Sequence, residues 1–208
     1  MREVTKVYKI YKFDELEPKA KEKAIDEVRN MKYDFIDETL SNVLREELEK
    51  YGYPTNDLRY SLNNQQGDGV AFYGNLYEEN ILKILERLKL EELYKKYKLF
   101  QVFNVTRFFT FDIEKNRDFY RYDHFNTMIV RLRIHYSIIY DGNNIYKRIT
   151  NIFEQIQNVI QDDVKYVSKK LESLGYKIID DELSDERIIQ DIKDNDYEFY
   201  SNGLIYKE

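Results

Sequence analysis

Tyr60-Ser61-Leu62-Asn63-Asn64-Gln65-Gln66-Gly67-Asp68-Gly69-Val70-Ala71-Phe72 is the stretch from which the fold class follows. Leu58, Tyr60 and Leu62 alternate on one side of a first strand, and Val70, Phe72 and Gly74 lie on its return. Asp68-Gly69 suits a turn that needs positive φ, so the stretch predicts an antiparallel hairpin. Asn63 to Gly67 is longer than a minimal turn requires and wholly polar. Its amides, Asn64, Gln65 and Gln66, each donate and accept hydrogen bonds, which makes the loop a candidate recognition surface together with Asp68. The plainer reading is a polar turn whose glycines satisfy the backbone. The glycine spacing is no nucleotide fingerprint, because neither a P-loop lysine nor a following βαβ unit is present.

Outward from the hairpin, residues 3–13 (EVTKVYKIYKF) predict a lysine-bearing edge strand. Pro18 then opens a helix to about Lys32 with Ala20, Ala24, Ile25 and Val28 inward. A second helix spans Asp34 to Tyr51, with Phe35, Ile36, Leu40, Val43, Leu44 and Leu48 on one stripe and Gly52 as its cap. After the hairpin, Glu78 to Tyr97 predicts a helix and Leu99 to Ile113 a long strand. Thr127 to Tyr140 alternates apolar Met128, Val130, Leu132 and Ile134 with Arg131, Arg133 and His135, one buried face and one wet face. Asp141 to Asn144 predicts a turn. A helix is expected from Tyr146 to Leu174 with Gly175 as its cap, then a short extended piece at Ile178-Ile179. Ser184 is expected to N-cap a helix to Asn195, followed by a terminal hairpin around Ser201-Asn202-Gly203. Helices fall in groups and the strands alternate on one face. The expectation is therefore a single α+β domain over 1–208, an antiparallel sheet with helices packed mainly on one face.

Composition narrows the function classes. The 208 residues, 42% hydrophobic, suffice for a real core. Without cysteine there is neither a disulfide framework nor a thiolate nucleophile or metal ligand. No apolar run reaches the roughly 18 residues that span a bilayer, and the N-terminus lacks the apolar segment of a signal peptide. The expected location is cytoplasmic. The 20 tyrosines and 12 phenylalanines are better explained by an A+T-rich coding sequence, which also raises Asn, Lys and Ile, than by a partner-binding surface. The net charge of −6 is concentrated between Asp180 and Glu198, where nine acids and two bases leave −7. Asp180, Asp181, Glu182, Asp185 and Glu186 are candidate partner-binding residues there, able to occupy a basic groove in place of phosphates. An acidic chain is otherwise a poor partner for nucleic acid. A local exception is the face carrying Arg131, Arg133 and His135, which Arg107, Arg117, Arg121 and His124 could extend, with Tyr120 and Tyr122 as stacking surfaces. The two histidines, His124 and His135, lack a nucleophile elbow or metal-ligand spacing. No catalytic residue, metal site or cofactor is assigned.

Three segments together resemble a family encoded in tailed-phage genomes. They are Phe13-Asp14-Glu15-Leu16 with Ala20-Lys21-Glu22-Lys23-Ala24; Gln66-Gly67-Asp68-Gly69-Val70-Ala71-Phe72; and Leu171-Glu172 through Asp185-Glu186 and Ile188 to Asn195-Asp196-Tyr197-Glu198-Phe199 and Gly203. The chain departs from that family at Gln65, where serine is usual, and at Tyr33 and Phe35, in a region where tryptophans are common. The resemblance implies a phage or prophage accessory protein and transfers no catalytic role. Three functions follow as expectations. The first is a non-enzymatic, anti-CRISPR-like protein that binds and inhibits a host defence complex, with one that handles nucleic acid as a candidate target. The second is a nucleic-acid-binding accessory factor using the basic strand face. The third is an enzyme acting on a nucleotide signal.

Overall fold

The computed structural model describes residues 1–2, 6–33, 35–116, 121–135 and 144–207. Its α+β architecture has six helices among these residues. An antiparallel four-stranded sheet packs against a long helix, Asn144–Glu182. The chain divides into two compact units. Unit 1 comprises residues 1–41 and 176–208; unit 2 comprises residues 42–175.

In unit 1, β1 (Ile10–Lys12) pairs antiparallel with β6 (Glu198–Tyr200). The expected edge strand is therefore shorter than predicted, and its Glu3 to Thr5 part lies outside the described residues. A 3-10 turn at Phe13–Glu15 leads into α1 (Pro18–Tyr33), whose Ala20, Ala24 and Val28 are buried at helical spacing as expected. They meet Ile188 and Ile192 of α6 (Asp185–Asp194), with Phe13, Leu16 and Phe199 closing the cluster. Ser184 caps α6 by accepting from the Arg187 N–H at 3.3 Å. The terminal hairpin forms: the Tyr200 N–H donates to Leu204 O and the Tyr206 N–H to Glu198 O. Its turn lies so close to α1 that a Cβ on Gly203 would stand 2.2 Å from Ala20 O, at φ +85°.

In unit 2 the strands β2 (Asp57–Ser61), β3 (Gly69–Leu76), β4 (Phe109–Lys115) and β5 (Met128–Ile134) lie in that spatial order, all antiparallel. The expected antiparallel hairpin forms, with Leu58 opposite Phe72 and Tyr60 opposite Val70. The inner face carries Phe72, Phe111, Ile113, Val130 and Met128 toward α5 (Asn144–Glu182), whose Phe153 stacks on Phe109 with ring centres 3.9 Å apart. Because β5 is an edge strand, its outward backbone groups need partners. Gln157 and Gln161 of α5 supply them: Val130 N–H donates to Gln161 Oε1, and Gln157 Nε2 donates to Val130 O, both at 2.8 Å. Gln161 Nε2 donates to Met128 O at 3.3 Å.

Four helices close with one device, a residue in the left-handed region followed by two reversed hydrogen bonds. The residue is Gly52 after α2 (Ile36–Tyr51), Lys89 after α3 (Glu78–Arg87), Asn104 after α4 (Glu91–Val102) and Asp196 after α6. Lys89 explains why the single helix expected over Glu78 to Tyr97 is two. Asn104 explains why Leu99 to Val102 are helical rather than the start of a strand: α4 runs on to Val102 and closes at Asn104, a 3-10 turn at Thr106–Phe108 intervenes, and β4 begins only at Phe109. No such closure forms at Gly175, so α5 passes through it to Glu182, and Ile178-Ile179 are helical, not extended. Glycine costs a helix interior only about 1 kcal/mol, which a long buried stripe offsets. Phe35, expected on the core stripe of α2, is 73% exposed because that helix begins one residue later. The end of the strand predicted to Tyr140 and the turn at Asp141 to Asn143 lie outside the described residues.

Candidate recognition surface at the hairpin loop

The loop between β2 and β3 is organised around Asp68. Its carboxylate accepts from the Asn63 N–H at 2.6 Å, the Gln65 N–H at 2.9 Å and the Ser61 hydroxyl at 2.7 Å. The side chain thus folds the loop onto itself, an Asx-type role. The positive φ angles fall on Asn64 (57°), Gly67 (95°) and Gly69 (157°), so the glycine of the Asp68-Gly69 step takes the positive φ expected of it and opens β3. Asn64, Gln65 and Gln66 are exposed.

A second layer comes from residues 121–127. A Cβ on Gly67 would stand 2.4 Å from the Tyr122 ring, and one on Gly69 would stand 2.5 Å from the His124 Cβ. Glycine is required here by close approach of another segment, as well as by the positive φ at both positions. Residues 121–127 are pinned in turn: Tyr73 donates its hydroxyl to Asp123 at 2.8 Å, Lys115 donates to the same oxygen at 2.8 Å, and the Thr127 hydroxyl donates to His124 O at 2.8 Å. Burial pushes the Tyr73 phenol well above its usual range, so it acts as a donor throughout ordinary pH. The His124 Nδ1 accepts from the Asn126 N–H at 3.1 Å, which places any ring proton of the neutral form on Nε2. Nearby on α5, burial holds the Glu172 carboxyl above its ordinary range; the His124 and Lys169 charges oppose this and Asp68 adds to it. A cleft of about 220 Å³ opens between the two layers, lined by Gln65, Gln66, Asp68, Arg121, Tyr122 and Asp123 among others.

The basic strand residues lie elsewhere in unit 2 and are largely engaged. Arg133 of β5 pairs with Asp112 and Glu114 of β4, and Arg131 pairs with Glu114 at 2.8 Å. The Asp112 hydrogen bond, followed by the Glu114 charge, raises the Arg133 guanidinium's hold on its proton. The exposed Arg107 lies over Phe108, 4.5 Å from the ring centre, and His135 is exposed with its N–H donating to Phe108 O. Arg121 sits at the loop cleft rather than on this strand face. Arg117 and Tyr120 lie outside the described residues.

The acidic candidates belong to unit 1 and are partly spent. Glu182 pairs with Lys32 at 2.7 Å and Arg187 at 3.5 Å, and Asp185 pairs with Arg29. Lys32 holds the Glu182 carboxyl below its usual range, chiefly by hydrogen bonding, against the opposing effect of burial. Asp180, Asp181 and Glu186 remain exposed.

Reading the sequence alone missed a buried polar cluster in unit 2. Asp163 of α5 is 6% exposed and accepts from the Tyr53 hydroxyl at 2.5 Å and from both terminal nitrogens of Arg87. Arg87 also donates to Tyr51 O at 3.2 Å and lies over the Tyr51 ring. Asp163 stands on the apolar side of the α5 stripe between Ile160 and Val164, and that interruption was the available signal. The cluster reads as a clasp, and Arg87 and Asp163 also border an open groove of about 640 Å³ with Leu88, Leu90, Val159 and Tyr166. Among the described residues no group of three or more His, Asp or Glu side chains is placed to hold a metal ion, and no helix is long and apolar enough to cross a membrane. Comparison with protein-family models, curated proteins and solved structures finds no match to this chain.

Proposed function

We propose that this is a binding protein without chemistry of its own, encoded by a phage or prophage, which inhibits a host defence complex by occupying a protein surface. The observation that carries the binding part is the Asp68 clamp. It consumes the loop's carboxylate internally and leaves Asn64, Gln65 and Gln66 outward on a backbone already ordered. A preordered loop forfeits little entropy on binding, which favours recognition over a merely solvated turn. The phage context is supported by the resemblance in the three segments quoted above, and the defence target by what accessory proteins of that kind often do.

The competing nucleic-acid reading is weakened by the pairing of Arg131 and Arg133 with β4 carboxylates. The test is affinity capture from the lysate of a bacterial host, with the protein and its Gln65→Ala/Gln66→Ala variant compared at equal thermal stability. One stoichiometric protein partner retained by the parent and lost by the variant is expected. Equal capture by both, or no stoichiometric partner, overturns the proposal.

A further inference from the structure

We propose that the cleft beside the hairpin loop receives one carboxylate side chain of the partner protein, gripped by Arg121. This rests on the reading of the loop as a recognition surface and names what that surface recognises. Among the described residues the Gln65, Gln66 and Arg121 side chains line the cleft without a hydrogen bond or ion pair of their own. The two carboxylates that share the lining are engaged, Asp68 by three donors and Asp123 by Tyr73 and Lys115. With those carboxylates engaged, the charged and amide groups the cleft offers a ligand are one guanidinium and two amides, beside the Tyr60 and Tyr122 rings.

The guanidinium is held on a platform. Its carbon lies 5.9 Å from the centre of the Tyr122 ring, and that ring is set against Gly67. A stacked guanidinium keeps its N–H edge available, and that fork matches the two oxygens of a carboxylate. The glutamine amides then suit the backbone groups flanking the acid.

Size and charge exclude the alternatives. The cleft's 220 Å³ is below the roughly 300 Å³ at which pockets accommodate a nucleotide-sized ligand. A phosphate chain would bring a succession of charges past Asp68 and Asp123, whereas a single carboxylate meets a single guanidinium.

The experiment is a ¹⁵N NMR titration of the whole protein with a capped Gly-Glu-Gly peptide at millimolar concentration. A capped Gly-Gln-Gly peptide, inorganic phosphate and a single-stranded oligonucleotide form the other arms. The Glu peptide is expected to move the Arg121 Nε–H and the Gln65 and Gln66 amides saturably. The Gln peptide should bind at least about tenfold more weakly, the loss of one charge-assisted fork, and Arg121→Gln should abolish the preference. No saturable shift, equal shifts from both peptides, or stronger shifts from phosphate or the oligonucleotide overturn the assignment. Failure here is separable from failure of the loop reading. If capture of the partner depends on Gln65 and Gln66 but not on Arg121, the carboxylate assignment falls while the recognition loop stands.

Discussion

Replacing Asp68 separates its geometry from its charge. In Asp68→Ala the Asn63 and Gln65 N–H groups and the Ser61 hydroxyl lose their shared acceptor. Intramolecular hydrogen bonds contribute roughly 0.5–1.5 kcal/mol net each. The loop is half-exposed and water can replace part of that, so the expected cost is about 2 kcal/mol. Asp68→Asn behaves differently. Both N–H donors converge on one oxygen, and the Ser61 hydroxyl sits on the other. An asparagine can turn its oxygen to the two N–H groups and donate its amide to Ser61, because a hydroxyl also accepts. Its cost should stay below about 1 kcal/mol. Urea unfolding followed by far-UV circular dichroism reads both values, and partner capture reads the loop. Asp68→Ala should lose capture along with stability, and Asp68→Asn should retain most of both. If the alanine variant unfolds like the parent, the clamp is not what orders the loop. If asparagine is as damaging as alanine, the negative charge itself matters and the geometric account is refuted.

Asp163→Ala should destabilise unit 2 by about 3 kcal/mol, because it strands a half-buried guanidinium and a buried phenol. A double-mutant cycle with Arg87→Met that shows no coupling would contradict this. The whole protein should show no salt-dependent binding to DNA or RNA through β5, and Arg131→Ala/Arg133→Ala should leave fluorescence anisotropy unchanged; steep salt-sensitive binding lost in that variant would revive the basic-face reading. Glu182 has a depressed pKa in the fold, so its contribution is present above the unfolded carboxyl value of about 4.3 and is lost as pH falls through the lower folded value. Lys32→Met should therefore flatten the acid limb of the stability curve of unit 1, read by denaturant titration between neutral and acid pH.

Local pattern carried the elements whose residues answer to their own neighbours. The hairpin of Leu58/Tyr60 with Val70/Phe72, the β5 alternation and the Ser184 cap all depend on chemistry within a few residues. The α4 boundary did not, because Leu99 to Phe103 suits helix and strand alike, and only Asn104 in the left-handed region decides. Gly175 carried the opposite lesson: a glycine stops a helix only where the reversed hydrogen bonds form, and here the stripe continues. For the site, the exposed amides were legible, but the direction of the Asp68 carboxylate was not, since it turns on three donors around it. The pairing of Arg131 and Arg133 with Asp112 and Glu114 needed the β4–β5 register, which places Asp112 opposite Arg131. The pressure of Tyr122 and His124 on Gly67 and Gly69 joins residues over fifty positions apart and leaves no local trace.

The two glutamines of α5 bear on how the molecule behaves in a crowd. A bare outer rim on β5 would be a template on which any stray extended chain could add itself, row upon row. Gln157 and Gln161 imitate the missing neighbour with side-chain amides, so an arriving strand finds Val130 and Met128 already spoken for. A chain this rich in tyrosine and phenylalanine can thereby be made in quantity with that margin of its sheet closed to uncontrolled stacking.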